Sequence, residues 1–96
     1  MPDDKPRRQN RRYNIVVTRS AEKELSKLNR ITRARIGNAI DQLRLSPRPR
    51  GSEKIAGSEN QRRIRVGDFR VIYTIDDRVV TITVIRVGNR RDVYRG

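Results

Sequence analysis

Apolar side chains recur along this chain with a period of two near its start, a helical period from Ala21 to Leu43, and a period of two again from Gln61 to Val87. In the first run Tyr13, Ile15 and Val17 alternate with Asn14, Val16 and Thr18, the pattern of a short strand over roughly 13–18. Ser20 is placed to cap a helix, with Glu22 and Glu24 near its positive end. Ala21, Leu25 and Leu28 then fall at i, i+4 and i+7 on one face. Asn29 and Arg30 interrupt this stripe. Thr32 can cap a second helix whose buried positions are Ile36, Ala39, Ile40 and Leu43. The segment Ser46-Pro47-Arg48-Pro49-Arg50-Gly51 ends it, because proline lacks the amide hydrogen a helix needs. The pattern predicts helices over roughly 20–29 and 32–46, joined as a helical hairpin.

Residues 46–60 read as a polar loop. After it the alternation predicts strands over roughly 61–66, 69–75 and 79–87, with turns at Gly67-Asp68 and Asp76-Asp77 and a break at Gly88-Asn89. A two-residue turn at Gly67-Asp68 sets the register: Val66 faces Phe69, Arg65 faces Arg70, and Ile64 faces Val71. Side chains alternate across a sheet, so Ile64, Val66, Phe69, Val71, Tyr73 and Ile75 share one face, joined by Val80, Ile82 and Val84. A slip of one residue would turn this whole set outward. Tyr73 and Phe69 are therefore expected in the core. Arg63, Arg65 and Arg70 fall on the opposite face. The expected class is α+β: an N-terminal strand, a two-helix hairpin, then a three-stranded antiparallel meander, with the helices on an antiparallel sheet.

Composition changes the picture by adding charge. The 96 residues suffice for one compact domain. They carry 24 Lys plus Arg against 11 Asp plus Glu, a net charge of +13. Arginine dominates, and its planar fork of donors matches phosphate geometry. That balance points to nucleic acid or an acidic partner. The chain has no Cys and no His. Thiol nucleophiles, disulfides, histidine acid–base chemistry and Cys/His zinc sites are excluded with them. Residues 1–12 are polar, rich in basic side chains and interrupted by Pro2 and Pro6. They read as a disordered basic arm, dispensable for folding, before a domain over 13–96. They lack the apolar core of a secretory signal, and no apolar run approaches the ~18 residues of a spanning helix. A cytoplasmic protein is the expectation.

Arg65 opposite Arg70 costs a few tenths to about 1 kcal/mol through like-charge repulsion. Folding supplies no reason for that pair, whereas binding an anion does. Simple solvation of splayed guanidinium groups is the plainer alternative.

At these residues the sequence resembles the RelE/ParE toxin superfamily. Three stretches carry the resemblance: YNIVVTRSA from Tyr13 with Leu25 and Leu28, RIRVGDFRVIY from Arg63, and VGNRRDVY from Val87. The resemblance implies a toxin of a type II toxin–antitoxin system. In its RelE-like branch it implies a ribosome-dependent mRNA endonuclease, or mRNA interferase, that cuts in the ribosomal A site without metal or cofactor. The catalytic residues it implies are Arg65, Arg70, Arg90 and Tyr94. The implied RNA-binding residues are Arg63, Arg91 and Arg95. Arg90 and Arg91 beside Asp92 also read as a surface ion-pair cluster, and Tyr94 as a sheet-edge packing residue. Many relatives carry Lys at the positions of Arg63 and Arg65, and His where Asn89 stands. The ParE-like branch shares the fold, inhibits DNA gyrase and generally lacks the arginine set; it is the alternative function. A nucleic-acid-binding module without chemistry is a third. Membership also implies a cognate acidic, RelB-like antitoxin and a hetero-oligomer with it.

Overall fold

The computed structural model describes residues 12–89. Its elements are β1 (Asn14–Val17), α1 (Arg19–Ser26), α2 (Arg30–Gln42), β2 (Glu53–Lys54), β3 (Gln61–Val66), β4 (Phe69–Asp76) and β5 (Thr81–Asn89). The expected basic arm over residues 1–12 lies outside the described residues save for Arg12.

Both helix starts sit earlier than the sequence suggested. Thr18, still extended at the end of the strand, accepts from Ala21 N at 3.2 Å and caps α1 in place of Ser20. Asn29 accepts from Thr32 N at 2.8 Å and caps α2, so Thr32 is the third helical residue and not the cap. Asn caps at least as well as Thr because its side-chain oxygen takes a first-turn amide hydrogen. The residue that breaks the first apolar stripe is thus the one that starts the second helix. Both helices also end earlier than expected, α1 at Ser26 and α2 at Gln42.

The five strands form one sheet in the order β1-β5-β4-β3-β2. The β3–β4 register is the expected one, with Arg65 opposite Arg70 and Val66 opposite Phe69. The expectation of a wholly antiparallel sheet is corrected at one pairing. β1 lies parallel to β5, with Ile15 opposite Ile82 and Val17 opposite Val84. A parallel neighbour needs a long connection, and the two helices followed by the meander provide one. β2 was not anticipated either. It is two residues long, pairs Glu53 with Arg63 and Lys54 with Arg62, and has no apolar alternation to betray it.

The turn after β4 is longer than Asp76-Asp77. The Asp76 carboxylate accepts from Arg78 N and Val79 N, and Val80 takes a left-handed φ of 50° before β5 begins. Farther along, Ile72 opposes Arg86 but Tyr73 opposes Val84, so β5 bulges at Ile85. The bulge lets Val84 and Val87, three residues apart, both be buried, which strict alternation forbids.

The helices cover the face expected of them. Ile36, Ile40 and Leu43 from α2 and Ala21 from α1 meet Val71, Tyr73, Ile82 and Val84. Val66, Phe69 and Val80 pack on this cluster while remaining partly exposed. Tyr73 is fully buried, and its hydroxyl donates to Pro47 O at 2.8 Å, which ties the proline-rich loop to the core. No helix among the described residues is long and apolar enough to cross a membrane.

β1 protects the edge of β5 only as far as Val84. Beyond it, Val87 N donates to Glu24 Oε1 at 2.7 Å, and Arg86 Nε donates to Glu24 Oε2 at 3.3 Å. One carboxylate from α1 thereby closes an edge that would otherwise present a bare amide. Glu24→Ala should lower unfolding free energy by about 1.5–3 kcal/mol, the range for hydrogen bonds to charged groups. Glu24→Gln, which keeps an acceptor, should cost less. Urea titrations of the three proteins give the comparison, and equal stability of parent and Glu24→Ala would refute the edge-cap role.

Burial pushes the Tyr73 phenol above its usual pKa, against the opposing pull of Ser52 and Arg62. A raised phenol pKa means the folded state holds its proton after the unfolded chain has released it, so stability falls as pH rises beyond about 10. Tyr73→Phe should flatten that decline, although it should also lower stability near neutral pH by removing the bond to Pro47. Parallel alkaline profiles for parent and variant would contradict this.

Candidate nucleic-acid interface

The β3–β4 hairpin positions the first group of predicted side chains. Gly67 opens the turn with a φ of 62°, a left-handed conformation that glycine adopts without strain. The tight turn brings Arg65 and Arg70 into direct cross-strand register. Their environments differ. Arg65 is exposed, whereas Arg70 is only 8% exposed. The reason lies in strand order: β4 is the middle strand of five, so Arg70 is flanked by Arg65 on β3 and by Gly88 on β5. The plainer alternative, simple solvation of all three hairpin arginines, therefore fails for Arg70. Ile72, two residues on, is also buried, outside the helix-side cluster.

Arg63 pairs across the sheet with Glu53 of β2, and its guanidinium forms an ion pair with that carboxylate. A phosphate approaching Arg63 must compete with Glu53, which is itself largely exposed. Arg62 is turned to structural use, holding Ser52 Oγ at 2.9 Å through Nη2. Arg86 is bound to Glu24.

The predicted residues Arg90, Arg91, Tyr94 and Arg95 lie outside the described residues. β5 runs to Asn89, which opposes Phe69, the residue before Arg70.

Helix α2 adds a cation that periodicity did not single out. The guanidinium nitrogens of Arg35 lie 3.8 and 3.9 Å from where a Cβ on Gly67 would stand. Arg35 belongs to the exposed flank of an amphipathic helix, so nothing in the sequence distinguished it from other surface arginines. A groove of about 600 Å³ separates the C-terminal half of α2 from β3. Leu43, Leu45, Pro49 and Ile64 give it apolar walls, and Arg50 and Arg65 stand at its margin. No group of three or more His, Cys, Asp or Glu side chains among the described residues could hold a metal ion.

Such a hairpin end suits an anion. Strand pairing fixes the backbone positions from which Arg65 and Arg70 project, so two cations issue from neighbouring points of the sheet. Because Arg70 is buried and Arg65 is not, the two should differ in stability. Arg70→Ala should destabilise the fold by about 1–3 kcal/mol, while Arg65→Ala should stay within about 0.5 kcal/mol of the parent. Chemical denaturation measures both. Equal effects would show that Arg70 contributes no packing.

The comparisons with known proteins agree with this architecture. Residues 15–94 match the family model of the ParE toxin of type II toxin–antitoxin systems. The chain is 34% identical over 87 residues to Toxin RelG of Mycobacterium tuberculosis, an alignment covering 86% of this chain and 97% of the relative. Its structure resembles that of a doubly substituted Escherichia coli toxin RelE in the free state, with a TM-score of 0.74 and 26% identity, covering 88% of this chain and 92% of the other. It also resembles a chain of the toxin–antitoxin complex RelBE2 of M. tuberculosis, with a TM-score of 0.74 and 26% identity over 82% of this chain and 92% of that one. With the helical hairpin, the sheet and the arginine-bearing meander all in place, the chain belongs to the RelE/ParE superfamily of type II toxin–antitoxin toxins.

Proposed function

We propose that this toxin is a ribosome-dependent, metal-independent endoribonuclease that cuts mRNA in the A site and so inhibits translation. The observation that carries the reading is the Arg65–Arg70 cross-strand pair at the hairpin end, a like-charge juxtaposition that costs folding free energy and favours an anion. In this reading the 2′-hydroxyl attacks the neighbouring phosphorus. The O2′–P bond forms, the P–O5′ bond breaks, and the products carry a 2′,3′-cyclic phosphate and a 5′-hydroxyl. The proton leaves O2′ and one is delivered to O5′. Arg70 and Arg90 hold the scissile phosphate and take up the charge of the phosphorane, with Arg65 beside them. Arg63 grips the backbone with Arg91 and Arg95, and Tyr94 stacks a base or relays a proton. Arginine keeps its proton far above neutral pH, so the set is suited to stabilising charge and not to accepting a proton.

The partner in this reading is an acidic antitoxin, which fits a chain of net charge +13 and similarity to toxins found in complexes with RelB. The place of action is the cytoplasm, where mRNA is translated. The family match to ParE supports a second reading, inhibition of DNA gyrase without nuclease activity. Primer extension on translating ribosomes, run beside a gyrase supercoiling assay, separates the two. The parent should cut mRNA and leave supercoiling intact. Arg70→Ala and Arg90→Ala should each lose about two to three orders of magnitude in rate, the scale for removing one fixed donor to a developing anion, after folding is verified by circular dichroism. Uncut mRNA with blocked supercoiling would establish the gyrase reading instead.

A further inference from the structure

The outer edge of β3 is covered for only part of its length. β2 pairs Glu53 with Arg63 and Lys54 with Arg62, and Ile55 N donates to Gln61 O at 2.9 Å. Gln61 and Arg63 therefore turn their backbone groups outward. The two-residue turn requires the same alternation, since Val66 opposes Phe69 and points its own groups at β4. Arg65 is the next residue in the outward series. Continued register would set Gly51 opposite it. Instead Gly51 has a φ of 94° and Ser52 N donates to Pro49 O at 2.9 Å, so the chain turns off the sheet there. Among the described residues, no strand pairs with β3 at Arg65 on this side. An outward amide and carbonyl at a strand edge are a template for another chain.

Two side-chain surroundings meet at this edge. The groove of about 600 Å³ is lined by Ile64 and Arg65 of β3 and by Leu45, Pro49 and Gly51 of the loop that turns away. Ile64 is buried on the helix side, and Leu45 is 52% exposed in the groove wall. Arg65 belongs to the other face and is exposed. A strand laid beside β3 alternates its side chains between these surroundings. Those level with Ile64 and Val66 enter the apolar groove, and the one level with Arg65 meets a guanidinium. A helix would satisfy its own amides and leave the edge open, and an RNA strand has no amide ladder to offer it. The net charge of +13 favours an acidic segment over a basic one. We propose that the open edge of β3 at Arg65 receives an extended segment of a protein partner, with acidic and apolar residues in alternation, as an added strand that masks Arg65 from RNA. The inference deepens the proposed function: it rests on that reading's acidic partner and gives the Arg65 site its regulation.

The probe is a capped synthetic peptide that alternates glutamate with isoleucine, followed by fluorescence anisotropy. It should bind the full chain. Arg65→Glu and Leu45→Ser should each weaken binding by about tenfold or more, the scale of one charge-assisted or one apolar contact. Both side chains are exposed, so the variants should fold, which circular dichroism verifies. Strand pairing has its own signature, because successive amides of a strand point to opposite edges. Methylating the amide nitrogens of one alternate set should abolish binding, and methylating the other set should leave it. Equal effects of the two sets would overturn the added strand, and so would parent-like affinity in both variants. A parent dimer that Arg65→Glu dissociates would assign the edge to a second copy of the chain and overturn the proposal too. On programmed ribosomes the bound peptide should slow mRNA cleavage, and undiminished cleavage at saturation would overturn the masking of Arg65. A parent that binds the peptide in this way and cuts no mRNA would uphold the added strand and refute the nuclease reading alone.

Discussion

The register of one hairpin constrains the rest of the molecule. The turn at Gly67 and Asp68 fixes Val66 against Phe69 and, through strict alternation, every side chain of β3 and β4. The apolar set then has one place to go, beneath α1 and α2, and the hydrophobic effect holds it there. The same alternation leaves Arg65 and Arg70 no choice but to oppose each other. Burial of Val71 and Tyr73 therefore supports the like-charge pair: the core side of the hairpin supplies the free energy that the arginine side gives up.

Keeping that hairpin in a sheet requires managed edges. β4 is sheltered between β3 and β5, and β5 in turn is sheltered first by β1 and then by the Glu24 carboxylate. The bulge at Ile85 allows β5 to keep both Val84 and Val87 in the core. Tyr73 anchors the loop after α2 through Pro47, while Asp77 joins Tyr13 to Arg48 across the same end of the sheet. These contacts brace the end of the sheet away from the arginine pair.

Much of this was legible in the residues because it depends on local periodicity. The hairpin register, the core face and the two helices follow from alternation and from a helical stripe. What was missed depends on neighbours distant in sequence. The parallel seat of β1 is decided by which strand edge remains open once the meander forms. The burial of Arg70 goes with the central place of β4, whose neighbours are set by pairings distant in sequence. Thr18 and Asn29 displaced the expected caps because extended residues just ahead of each helix already carried a suitable oxygen. Arg35 carries no local mark, since only the return of the chain brings α2 over the Gly67 turn. The predicted residues at positions 90, 91, 94 and 95 follow the last described strand residue.

Family membership establishes a toxin, and the function proposed for it keeps the exposed Arg65 for an anion and not for the fold. Arg65 isolates that claim, because it is exposed and its loss leaves the core intact. The most direct measurement is the single-turnover rate of mRNA cleavage on programmed ribosomes by Arg65→Ala, with urea stability determined on the same preparation. The account predicts stability within about 0.5 kcal/mol of the parent and a rate lower by about two orders of magnitude or more. A variant that cuts as fast as the parent would contradict it.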